Sequence, residues 1–152
     1  MSADAPAAGH AMTVLICAPA FAFAQIGERL TPVPTVDAVE IARHIAALDS
    51  KDYAAREAAG KALAGVADQA DAAAREALKA ATNPETRRRL EKLVAAADAA
   101  DERPDTLRAL RAVEVLEAIG GADARAVVAR LAGGAPGARA TLHARATLTR
   151  MK

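Results

Sequence analysis

The stretch Leu48–Val66, LDSKDYAAREAAGKALAGV, constrains the chain more than any other. Asp49 or Ser50 can cap the first free N–H groups of a helix. Asp52 and Arg56 stand one helical turn apart and can pair. Tyr53, Ala55, Ala59, Ala62, Leu63 and Val66 fall on one side of a 3.6-residue helix. The pattern reads as the first helix of a two-helix repeat unit, and weaker copies of it follow.

Such a unit suits this composition. Alanine is abundant, and the aromatic residues are only Phe21, Phe23 and Tyr53. An enclosed core needs larger side chains, whereas alanine lets thin helices approach closely and favours helix at little entropic cost. The scarcity of aromatics also counts against stacking platforms for bases. Cys17 is the only cysteine, so neither an intrachain disulfide nor a thiolate cluster can form. At 152 residues and a net charge of +1, the chain fits one domain with no strong global pull toward polyanions. The charge is uneven, however. Residues 1–76 hold 6 basic and 10 acidic side chains, residues 77–152 hold 14 and 9, and no acidic residue follows Asp123.

Residues 1–10 are small and polar and are expected to be disordered. The run 11–24, AMTVLICAPAFAFA, is the most apolar. It is too short for a membrane span. A secretory signal ending Ala22-Phe23-Ala24 fits its length, and a lipoprotein signal ending at Cys17 is a weaker variant. No Lys or Arg precedes Arg29, and Pro19 interrupts the run, so a terminal helix lying on the stack and a cytoplasmic location are expected. TPVPT, at 31–35, closes this apolar segment (11–35) as a rigid extended joint. Helices are then expected over 36–48, 50–66, 69–81, 84–99, 105–119, 122–132 and 138–151. Asn83-Pro84 is a clear start signal, and Gly120-Gly121 a clear stop. Gly60 should weaken its helix by about 1 kcal/mol relative to Ala unless a neighbouring backbone packs against it. Residues 36–152 thus read as one helical-repeat domain without a sheet.

LDSKDYAAREAAGKAL resembles the HEAT-type repeat. More narrowly, ERLTPVP, LDSKDYAARE, NPETRRRLEKL, LRALRAVEVLEAIGGADAR and LAGGAPGAR are together similar to a HEAT-like region near the C-terminus of many bacterial proteins, often after a WD-repeat β-propeller. The resemblance implies an all-α fold, a short right-handed HEAT-like superhelix of about seven helices. It also implies an interaction or scaffold role, with another protein or an upstream domain as partner. No functional residues carry over from it. Leu142 and Ala140 depart from the pattern, which implies a looser final helix.

Chemistry-bearing constellations are sparse. His10, His44 and His143 lack ligand-spaced partners, no Gly-rich loop has phosphate-cradle form, and Cys17 has no nearby His. Neither a catalytic site nor a metal or cofactor is expected, and no pocket with convergent polar groups. The carboxylates read as surface pairs: Asp52–Arg56, Glu57–Lys61, Asp71–Arg75, Arg87–Glu91 and Glu85–Arg89. The remaining feature is the basic set Arg87, Arg88, Arg89 and Lys92, with Arg108 and Arg111 on the next long helix. In stacked units such residues can line one face, so binding of nucleic acid or another polyanion through the basic half is the alternative reading.

Overall fold

The computed structural model describes residues 4–151. Among them are nine α-helices, one 3-10 turn and no strand. The helices are α1 (Asp4–Cys17), α2 (Pro19–Arg29), α3 (Ala38–Ala47), α4 (Tyr53–Gly65), α5 (Ala67–Ala80), α6 (Pro84–Asp98), α7 (Pro104–Ile119), α8 (Gly121–Ala132) and α9 (Arg139–Arg150). The all-α expectation holds. The expected count of seven becomes nine, because the apolar N-terminal run folds as two helices. Pro19 cannot continue α1, so the chain breaks at Ala18 and restarts, with a bend of 116° between Gly9–Cys17 and Pro19–Arg29. Of the expected disordered N-terminus, residues 1–3 lie outside the described residues and 4–10 are helical. No single helix among the described residues is long and apolar enough to cross a membrane.

The division of the chain differs from a single domain over 36–152. Two compact units form. Unit 1 takes the chain up to Val33, Pro104–Gly134 and the stretch from Ala140 onward; unit 2 takes Pro34–Arg103 and Ala135–Arg139.

In unit 2, helix starts follow local chemistry. Asp37, Asp52 and Asn83 each accept a hydrogen bond from the backbone N–H two residues on, at 2.8, 2.9 and 3.0 Å. Asp52, rather than Asp49 or Ser50, therefore caps α4. Helix α3 packs on α4 and α5 on α6, and the pairs meet through α3 on α5 and α4 on α6. The core joins Ile41, Leu48, Ala59, Leu63, Leu90 and Leu93 to the alanine face Ala67, Ala70 and Ala74 of α5. Tyr53 and Ala62, expected on the apolar side of α4, are exposed. The α4 face is narrower than the pattern suggested, since only Ala59 and Leu63 are buried.

Unit 1 repeats the arrangement with non-consecutive pieces. The pair α1–α2 packs on α7–α8, with α1 on α7 and α2 on α8. Ala22, Ile26, Val113, Leu116, Val128 and Leu131 fill its core. The Arg130 guanidinium on α8 donates to the Gly27 carbonyl at 2.8 Å, across 103 positions of sequence. Helix α9 is tied in by Arg150, which donates to Glu117 at 2.6 and 2.7 Å. Ala144, Thr141 and Thr147 are its buried face.

Candidate functional site

Unit 2 contains a cleft of about 300 Å³ between α4 and α6. Each helix contributes the same spacing. Glu57, Gly60, Lys61 and Ala64 stand at i, i+3, i+4 and i+7 on α4, and Arg89, Lys92, Leu93 and Ala96 do so on α6. A helix places those positions on one face, so the facing stripes become opposite walls. Leu48, at the end of α3, and Leu63 add to the apolar lining, and both are 1% exposed. Gly60 opens the wall of α4: a Cβ there would sit 3.9 Å from Arg89 Nη1 and 4.0 Å from Leu48 Cδ2.

The charged groups at the cleft divide into two kinds. Arg89 is satisfied within the unit. Its Nη1 lies 2.8 Å from Glu57 Oε1 on α4, and its Nε donates to Glu85 Oε1 at 2.8 Å on its own helix. These bonds, that to Glu57 foremost, raise the guanidinium pKa above its ordinary value. Arg89 therefore straps α4 to α6. Lys61 and Lys92, one from each wall, are exposed and make no ion pair or side-chain hydrogen bond among the described residues.

The structure brings together only part of the basic set read from sequence. Arg89 and Lys92 line the cleft. Arg87 turns away, donating to the Ala81 carbonyl at the end of α5 at 2.8 Å, and Arg88 is exposed. Arg108 and Arg111 lie on α7, in the other unit, where Arg108 pairs with Asp105. The expectation that no pocket gathers polar groups is corrected: four charged side chains converge on this cleft.

Sequence reasoning missed Lys61 and Gly60 as site residues and misassigned Glu57. Glu57–Lys61 has pairing spacing, but Arg89 reaches Glu57 from α6 with a planar, two-nitrogen donor that already bonds Glu85. Asp52–Arg56 fails similarly. Asp52 is committed to its cap, and Arg56 donates to the Ser50 and Lys51 carbonyls at 2.7 and 3.1 Å while lying over the Tyr53 ring. Asp71–Arg75 and Glu85–Arg89 form as expected. The signal that could have found the cleft is the shared i, i+3, i+4, i+7 set of charged and small residues on two helices of successive pairs.

Other chemistry-bearing residues stand apart. His44 lies 3.7 Å from Glu40 on the same helix, and Cys17 is a free, exposed thiol. Among the described residues, no three His, Cys, Asp or Glu side chains are grouped to hold a metal ion. No known protein family, curated protein or solved structure matches the chain.

Proposed function

We propose that this chain is a non-catalytic protein-interaction module built from HEAT-like helix pairs, and that it receives a partner segment in the α4–α6 cleft. The observation that carries the reading is the make-up of that cleft: an apolar lining under a charged rim. This is the anatomy of a site in which an apolar anchor is desolvated while polar groups around it fix orientation. The HEAT-like character is supported by the stacking in unit 2, where first helix lies on first helix and second on second. The resemblance of LDSKDYAAREAAGKAL to that repeat points the same way.

The polyanion reading is supported less. Arg89 and Arg108 are paired with carboxylates, and Arg87 donates one N–H to the Ala81 carbonyl. The six residues are also divided between two units.

A display selection of random peptides against the purified chain tests the proposal. The control is Ala64→Met/Ala96→Met, which fills the cleft with neutral, helix-favouring side chains. Selected peptides should bind the wild-type chain and lose most of their affinity for the filled variant. Peptides that bind both alike would remove the cleft as the interaction surface.

A further inference from the structure

We infer that the segment taken by the α4–α6 cleft is acidic: a carboxylate side chain standing next to an apolar one, on a short stretch of a partner protein. The inference rests on the reading of this cleft as the binding surface and adds the chemistry of its occupant.

The first step is charge accounting inside the cleft. Its lining carries three cations, Lys61, Arg89 and Lys92, and one carboxylate, Glu57. Glu57 is bound to Arg89, which Glu85 also engages. Two carboxylates already compensate the charge of Arg89, through its Nη1 and Nε. The lysines are different. Neither makes an ion pair among the described residues, and each wall of the cleft contributes one, so both are open to an incoming anionic group. Lysine suits this role because its flexible stem and three donors adapt to an acceptor that no neighbouring group has fixed in place.

The second step is the lining. Ala64 and Ala96 present the accessible apolar surface between the lysines, with the buried Leu48, Leu63 and Leu93 packed behind them. A bare phosphate, or a nucleic-acid backbone lying across the lysines, would leave this surface unfilled. An aliphatic side chain would cover the accessible methyl groups of Ala64 and Ala96. A volume of about 300 Å³ lies at the small end of ligand pockets, enough for one or two side chains and too little for the whole face of a helix. The fitting occupant is therefore an extended or turn segment in which Leu, Ile, Met or Phe adjoins Asp or Glu. The apolar anchor supplies most of the affinity, and the exposed lysines supply selection and orientation.

The test uses peptides selected against the full chain and measured by fluorescence anisotropy. The variants are the filled Ala64→Met/Ala96→Met, the charge-reversed Lys61→Glu/Lys92→Glu and the conservative Lys61→Arg/Lys92→Arg. The lysines are exposed and make no ion pair among the described residues, so the last two variants should fold, which unchanged circular dichroism and urea midpoint would establish. The expected result is enrichment of Asp or Glu beside an apolar residue, with binding weakened roughly tenfold by charge reversal and retained by the arginine pair. Neutral or basic peptides that the filled variant rejects but charge reversal leaves alone would overturn the inference while keeping the cleft as the interaction surface. Peptides indifferent to every variant, or a selection that enriches nothing, would overturn both. An oligonucleotide displaced by the filling residues, or self-association that they abolish, would give the cleft to a polyanion or to a second copy and overturn the inference.

Discussion

The carboxylate of Asp49 accepts a hydrogen bond of 2.5 Å from the hydroxyl of Thr86, 37 positions further along the chain. Asn83 donates to the same oxygen at 2.8 Å. Asp49 thus stands at the start of α6, where a negative charge is favoured by the helix dipole and by the free donors of the first turn. It ties the α3–α4 turn to the helix that forms the far wall of the cleft. Thr86 is 8% exposed, so Thr86→Val keeps the shape and removes the donor. The variant should lose about 1 kcal/mol, read as a lower urea midpoint with an unchanged slope. An unaltered midpoint would mean that this contact does not hold α6 in place.

The same contact has a pH signature. Hydrogen bonds from Thr86 and then Asn83 hold the Asp49 pKa below its ordinary value of 3.8. In unit 1, the hydrogen bond from Arg150 acts first on Glu117, holding it below 4.5. A carboxylate depressed in the folded state contributes stability that is complete above its unfolded pKa. That contribution is lost as pH falls through the lower folded value. Wild-type stability should therefore fall on acidification below about pH 4.5, as the unfolded chain takes up protons first. Asp49→Asn/Glu117→Gln should show a shallower fall over the same window, measured by urea midpoints from neutral pH to about pH 3. Parallel curves for the two proteins would contradict the assignment.

Gly60 presents a different balance. It sits inside α4, where glycine is worth roughly 1 kcal/mol less than alanine. No neighbouring backbone accounts for it, since an added Cβ would meet only Arg89 Nη1 at 3.9 Å and Leu48 Cδ2 at 4.0 Å, both ordinary contacts. Gly60→Ala should raise stability by up to about 1 kcal/mol, which a urea titration would register. It should also narrow the cleft and weaken peptides that fill it. A destabilised Gly60→Ala chain would show that the Arg89 strap cannot tolerate the extra carbon.

Local signals in the sequence located most of the helices. Asn83-Pro84 starts α6 where expected because a capping side chain and a missing N–H act within one turn. Gly120 and Gly121, at φ of 67° and 81°, separate α7 from α8 for an equally local reason. Pairing across the chain was not legible. Nothing in AMTVLICAPAFAFA says that α1 will lie on α7, since an apolar alanine-rich face fits many others of its kind. The cleft was hidden for the same cause. Arg89 and Lys92 were visible as charges, but Lys61 acquires meaning only once α4 faces α6. The triplet Arg87-Arg88-Arg89 illustrates the limit: three adjacent arginines spread around a helix, and only the last reaches the cleft.

Gly134 supplies the sharpest steric prediction. It follows α8 in unit 1, and the Val33 backbone runs directly against it. A Cβ at this position would lie 2.8 Å from the Val33 nitrogen, 3.1 Å from its carbonyl oxygen and 2.6 Å from Thr141 Oγ1. None of these can yield cheaply, because Val33 presents main chain and Thr141 is a fully buried, β-branched residue of α9. Conformational freedom is not the reason for glycine here, as its φ is not among the positive values. Close approach is. Gly134→Ala should cost about 3 kcal/mol, the scale of overpacking a closely fitted site, seen as a much lower urea midpoint or a chain that fails to fold. Gly65→Ala is the matched control: it lies at the end of α4 with nothing within 4 Å of the added carbon, and it should leave stability unchanged or slightly raised. Equal effects of the two substitutions would show that Val33 does not pass against Gly134 in the folded chain.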